Sequence, residues 1–160
     1  LDIVYREVDR KIEDAIVRTF GEWVREFACI HRGDGCLSLA ALHGERPVGF
    51  ISTFGRNYPE PLSDYTEAFI DVIEVDEHYR RRGIAATLLR MTEDWAKGYG
   101  YHQIASWSSD DKTEAIHMWY ALDWCVCPAV MRGESLLEEF RGEKNPGFYV
   151  AKMLNPFRRR

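Results

Sequence analysis

The sequence predicts a mixed α/β protein, one central sheet with flanking helices, and three observations carry that prediction. Two strand patterns joined by a tight turn stand early in the chain, two strand–helix–strand units follow, and strand patterns close it. The early hairpin rules out an all-parallel sheet, in which every neighbour needs a crossover. A length of 160 residues, 46% apolar and 29% charged, fits one domain around one core, taken as residues 1–157. The arginine triplet at 158–160 reads as a solvated basic tail.

Taken in order, "LDIVYREV" alternates as a first strand. "RKIEDAIVRTFGEWVREFACI" places Ile12, Ala15, Ile16, Phe20, Trp23, Val24 and Phe27 at helical spacing, with Gly21 as its weak point. "CLSLAALHGERPVGFISTFGRNY" is two strands around the turn "HGER", with Leu37, Leu39 and Ala41 inward against Val48, Phe50 and Ser52. "NYPEPLSDY" is a loop broken by Pro59 and Pro61. "TEAFIDVIEV" is a strand. "GIAATLLRMTEDWAKGYG" is a helix closed by Gly98 or Gly100, with an apolar stripe of Ile84, Ala85, Leu88, Leu89, Met91 and Trp95. "YHQIASWSS" is the next strand, and "DKTEAIHMWYALDW" is a helix with Ala115, Ile116, Trp119 and Leu122 inward. "CVCPAVMRG" and "GFYVAKML" are closing strands, and the segment between them, 134–146, reads as a short helix or lid.

A net charge of −5 and a pI near 5.6 argue against a nucleic-acid binder, which carries a basic surplus. No apolar run approaches the roughly 20 residues that span a bilayer, and "LDIVYREVDRK" does not have the form of a secretion signal. Cys29, Cys36, Cys125 and Cys127 match no zinc spacing and read as reduced thiols of a cytoplasmic protein. His31, His43, His78, His102 and His117 are scattered over expected loops and element edges, so no metal site is expected.

One stretch, "IDVIEVDEHYRRRGIAATLLRMTEDWA", is hard to explain as structure alone. A strand runs into Arg80, Arg81 and Arg82, then Gly83, then a helix. A helix N-terminus carries unpaired N–H groups and partial positive charge, so three cations there oppose the dipole unless an anion binds. A phosphate at that point takes the N–H groups, the dipole and the guanidiniums together. Gly83 permits an unusual backbone and close approach, and Ala85 is small for the same reason of access. The pattern is neither GxxxxGK[ST] nor GxGxxG. A solvated basic turn is the plain alternative.

Arg80-Arg81-Arg82-Gly83-Ile84-Ala85 matches [Q/R]-x-x-G-x-[G/A], and on these residues the chain resembles the GCN5-related N-acetyltransferase (GNAT) family. "EAIHMWYALDW" is similar to that family's later helix, A-I-x-x-Y-x-x-L-G-F, and the element order agrees over nearly the full chain. The resemblance implies a mostly antiparallel sheet splayed at its central strands. It implies acetyl-CoA as co-substrate, with the pyrophosphate on the amides from Arg81 through Ile84 and Ala85 to Ala86. The pantetheine would pair like an added strand with Ile73 to Val75, after a bulge. Lys112 stands at the family's asparagine and Trp119 at its tyrosine, so both are expected beside the cofactor. The implied function is acetyl transfer to a primary amine, either a small cationic amine of aminoglycoside or polyamine type or a protein amine. A non-catalytic CoA-binding regulatory module is the alternative. A homodimer is a possible assembly implied by the resemblance, and neither nucleic acid nor membrane is an expected partner.

Acyl transfer to an amine needs a neutral nucleophile, a polarised carbonyl and a proton for the thiolate. Asp71 is the first choice of base and Glu74 the second, with simple pairing or capping as the alternative for Asp71. Period-two alternation puts Asp71 on the side of Ile73 and Val75, a parity that a bulge would change. Val75 N–H is the expected oxyanion donor. Glu67 and Asp64 are expected at the acceptor entrance, and Trp23 and Phe27 in the core or on the acceptor wall. The acid is assigned to Tyr120, one residue and about 100° from the family's tyrosine position, with water or Tyr149 as alternatives.

Overall fold

A computed structural model describes residues 2–109, 112–128 and 147–156. Strand β1 is Ile3–Glu7 and helix α1 is Arg10–Phe20. Asp9 starts α1, its carboxylate accepting from the Ile12 N–H at 2.8 Å. Gly21, at φ +113°, ends it, and a one-turn helix α2, Trp23–Glu26, follows. The one helix expected here is therefore two. Ile12, Ile16, Val17 and Val24 are buried, whereas Phe27, past the break, is 74% exposed.

Strands β2, Cys36–His43, and β3, Arg46–Asn57, form the expected hairpin. Their register shifts between Ala41 and Leu42. That shift places Val48 with Leu39 and Ala41 on one face, and Phe50 with Ala40 and Leu42 on the other. Simple alternation had put Val48 and Phe50 together; one irregular residue separates them.

Strand β4, Thr66–Val75, leads through a 3-10 turn, Glu77–Tyr79, to helix α3, Ile84–Tyr99, which ends at Gly100. Its buried stripe is Ile84, Leu88, Leu89, Thr92 and Ala96, and Met91 lies on the exposed side. Strand β5 is Gln103–Ser109, helix α4 is Thr113–Ala121, and β6, Cys125–Pro128, and β7, Gly147–Met153, close the order. The sheet runs β1-β2-β3-β4-β5-β7-β6, antiparallel throughout except between β4 and β5. α3 and α4 cover one face through Leu88, Leu89 and Trp119, and α1 and α2 cover the other through Ile16 and Val24. The central strands are thus buried on both sides, which explains their nearly continuous apolar runs.

The segment 134–146 and the tail 158–160 lie outside the described residues. No described helix is long and apolar enough to cross a membrane.

Candidate active site

Strand β4 pairs with β3 from Thr66 to Val75, but with β5 only from Glu67 to Ile70. Beyond Ser106, β5 continues against β7, so among the described residues β4 is open along one edge from Asp71 onward. On the β3 side, Ser52 opposes Val72 and Thr53 opposes Ile70, which leaves Asp71 as the extra residue of a bulge. The Asp76 N–H bonds Val48 O at 3.0 Å. Alternation then turns the N–H and C=O groups of Ile73 and Val75 toward the open side. Arg80 Nε meets Val75 O there at 3.1 Å. Between the diverging strands lies a cleft of about 860 Å³ bordered by Asp71 to Val75, Trp107, Trp23, Trp119 and the start of α3.

The loop before α3 takes two left-handed steps, Arg81 at φ +59° and Gly83 at φ +78°. A Cβ on Gly83 would meet nothing within 4 Å, so glycine is there for its conformation, and the space above it is open. Among the described residues no side chain caps α3, and no acidic residue stands in its first turn. The N–H groups of Ile84, Ala85 and Ala86, residues that line the cleft, therefore have no intrahelical acceptor. The three arginines divide their work. Arg80 is tied to Val75 O and, at 3.4 Å, to Glu74. Arg82 donates to His78 O, lies over the Tyr79 ring and falls outside the cleft lining, contrary to its expected place in the cradle. Arg81 borders the cleft and makes no hydrogen bond or ion pair among the described residues.

The bulge decides where the carboxylates face. Ile73 and Val75 pack toward α3, while Asp71 turns to the opposite side, its Oδ2 at 2.7 Å from His31 Nε2. The expected parity is thereby reversed. Glu74 also lines the cleft, between Arg80 and Lys112, whose Nζ is 3.9 Å away. Lys112 and Trp119 border the cleft. Trp119 is 2% exposed, its ring lies 4.6 Å from that of Trp124 at a tilt of 50°, and its indole N–H has no acceptor among the described residues. An indole donates a hydrogen bond but does not release its proton near neutrality.

Tyr120 is 60% exposed and outside the cleft lining, because one residue of helix rotates its ring away. Tyr149 is buried with its hydroxyl 3.1 Å from Glu67 and 3.0 Å from Gln103, so it too is engaged away from the expected acid role. Glu67 is fully buried rather than at an entrance: it pairs with Arg56 and accepts from Tyr58 at 2.8 Å and Gln103 at 2.6 Å. Asp64 is exposed on the loop before β4, outside the cleft lining. Burial, a hydrogen bond to Tyr149 and the Glu67 charge push the Tyr58 phenol up. Burial raises the Cys29 thiol, and the charge of Asp71 adds to it. His31 is the residue that sequence reasoning passed over; forty positions separate it from Asp71, and no local spacing signals the pair. Among the described residues no three metal-ligating side chains converge.

An open strand edge that ends at uncapped helix amides, with a carboxylate where the strands part, defines a site for an extended anionic ligand. The chain belongs to the acetyltransferase (GNAT) family, whose model matches residues 5–124. Arabidopsis thaliana NAA60 in complex with a bisubstrate analogue superimposes with a TM-score of 0.69 at 18% identity, covering 96% of this chain and 99% of that one. The ribosomal-protein-S18-alanine N-acetyltransferase from Escherichia coli gives 0.66 at 14%, over 98% and 97%. The aminoglycoside N-acetyltransferase AAC(6')-Iy in complex with CoA gives 0.63 at 22%, over 74% and 89%. At these identities the likeness is one of fold. No curated protein shows a significant sequence match to the chain.

Proposed function

We propose that the protein is an acetyl-CoA-dependent N-acetyltransferase acting on a primary amine. One observation carries the reading: the unpaired edge of β4 leads from Asp71 at the bulge to the uncapped amides of Ile84, Ala85 and Ala86. Those amides, with Arg81, fit a pyrophosphate. The outward N–H groups of Ile73 and Val75 and the C=O of Ile73 fit the amide groups of a pantetheine arm, as an added strand would, while Arg80 holds the Val75 C=O.

Acetyl-CoA supplies an activated acyl carbon. Asp71 accepts a proton from the acceptor ammonium, directly or through one water, which frees the nitrogen lone pair. The N–C bond forms as the C–S bond breaks, and an outward N–H of Ile73 or Val75 steadies the charge on the carbonyl oxygen. The amine proton leaves through Asp71 to solvent, and the thiolate takes its proton from water. Trp119, beside this path, offers a hydrogen bond and no proton. The net charge of −5 and the carboxylate at the apex favour a cationic acceptor, a small amine of aminoglycoside or polyamine type or a protein amine.

A thiol-release assay with acetyl-CoA and a panel of polyamine, aminoglycoside, lysine-peptide and N-terminal-peptide amines tests the reading. Release above the amine-free rate with at least one acceptor is expected. A second reading, a CoA-binding regulatory module, is favoured by Trp119 at the family's tyrosine position and by the outward turn of Tyr120, the expected acid. Tight CoA binding with no amine-dependent release would establish that reading instead.

A further inference from the structure

We infer that His31 is a positioning residue for Asp71, holding one carboxylate oxygen so that the other meets the acceptor amine; this rests on the acetyl-transfer reading above. As the bulge residue, Asp71 has no cross-strand partner on β3, so sheet pairing does not orient its side chain. Its Oδ2 accepts from His31 Nε2 at 2.7 Å, and a carboxylate is an acceptor only, so Nε2 carries the hydrogen. Its Oδ1 has no hydrogen-bond partner among the described residues, and Asp71 lines the cleft. One oxygen is held and the other is left for a ligand.

His31 is itself unusually well seated for a loop residue. Its N–H donates to Ser52 Oγ at 2.9 Å, its C=O accepts from Ser38 Oγ at 2.8 Å, and the two hydroxyls lie 2.8 Å apart. Ser38 and Ser52 are cross-strand partners on β2 and β3, both buried beside the apolar runs Leu39–Leu42 and Val48–Ile51. A buried hydroxyl is destabilising unless bonded. Two interior positions are thus given to polar groups that converge on one backbone unit. That arrangement fixes where the imidazole begins, and the Phe54 ring, 4.7 Å from it, limits its rotation.

Holding Oδ2 matters because a proton acceptor displaced by about 1 Å loses on the order of 100-fold in rate. The competing explanation is that His31 serves only to pack on Phe54. Two substitutions separate them. His31→Phe keeps the ring and removes the donor; His31→Gln removes the ring and keeps an N–H near the place of Nε2. Positioning predicts that His31→Phe lowers kcat by about 10- to 100-fold with the KM for acetyl-CoA unchanged, and that His31→Gln stays within about threefold of wild type. The same His31→Phe change made in an Asp71→Asn background should have little further effect.

The assay uses whichever amine of the panel gives the fastest thiol release. Full activity in His31→Phe, or an equal fold-loss from His31→Phe in both backgrounds, overturns the inference. If no amine of the panel raises thiol release by wild type above the amine-free rate, the acetyl-transfer reading fails and the catalytic role of His31 fails with it. Nitrogen-edited NMR then reports separately on the pair: a slowly exchanging His31 Nε2–H signal in wild type, lost in Asp71→Ala, shows the contact without turnover.

Discussion

From Glu67 to Ile70 strand β4 is paired on both edges, and from Asp71 to Val75 on one. The doubly paired half buries a carboxylate completely, Glu67, surrounded by Arg56, Tyr58, Gln103 and Tyr149. The singly paired half presents its carboxylate, Asp71, to a cleft with His31 as its hydrogen-bond partner. Neither difference is one of residue type, since both halves carry a carboxylate among apolar neighbours. What separates them is the bulge and the departure of β5 after Ser106, which together turn a structural strand into a binding edge. A strand edge with free N–H and C=O groups is a hazard when exposed; inside a cleft it becomes a template for a ligand.

The largest effect should come from the closed half. Glu67→Ala leaves the Arg56 guanidinium and three further donors without their acceptor, and should lower stability by about 3 kcal/mol in urea titration. Residue 67 lies eight positions from Val75, roughly 26 Å along the strand, so acetyl-CoA affinity should move less than about twofold. A large loss of affinity with small loss of stability would mean the two halves are not independent.

Gly83→Glu should do the reverse. It places a carboxylate at the uncapped amides and forces a side chain onto φ +78°, a strain of about 1–2 kcal/mol. We expect acetyl-CoA affinity by calorimetry to fall about 100-fold with the circular-dichroism spectrum unchanged. Gly83→Ala, with strain and no charge, should lose far less, which isolates the anion effect.

These two sites differ in how legible they were. The loop from Arg80 to Ala86 is read from consecutive residues, because a helix start, its glycine and its arginines are local features. The open β4 edge is not local in this sense: only the family resemblance implies a ligand pairing at Ile73 to Val75. Asp71 borders the cleft on the side opposite to the one simple alternation gives, since one bulge residue inverts parity and leaves no mark in composition. Glu67 looked like an entrance residue because its four partners come from β3, β5, β7 and the loop at Tyr58. The displaced tyrosine was visible in "HMWY", and helix geometry explains why Tyr120 points outward. Phe27 and Met91 went to the wrong faces for related reasons: Gly21 broke one helix, and Thr92, its hydroxyl bonded to Leu88 O, occupies the buried stripe of the other.

A smaller change distinguishes the arginines within the open half. Arg81→Ala removes a cation with no partner in the described fold and should weaken acetyl-CoA binding by about 5- to 10-fold, with no change in melting temperature. Arg80→Ala also severs contacts to Val75 O and Glu74, so it should lower both affinity and melting temperature. Equal effects of the two on stability would remove the distinction drawn between loop-folding and ligand-facing arginines.

The smallest effect is alkaline and belongs to the closed half. Burial first, then the Tyr149 and Glu67 contacts, hold the Tyr58 phenol above its ordinary value of 10; burial, with Tyr99 beside it, pushes Tyr101 up to about 12. Above pH 10 the unfolded chain releases tyrosine protons that the folded chain keeps, so stability falls as pH rises through this window. The decline in urea midpoint from pH 10 to 12 should be shallower in Tyr58→Phe, by on the order of 1 kcal/mol or less per pH unit. At pH 7 that variant should show only the loss of its hydroxyl contacts with Glu67, Tyr149 and Gln103, about 1 kcal/mol. An unchanged alkaline slope would mean that folding does not raise the Tyr58 phenol. The contrast between a sealed and an open half of β4 would then rest on pairing alone.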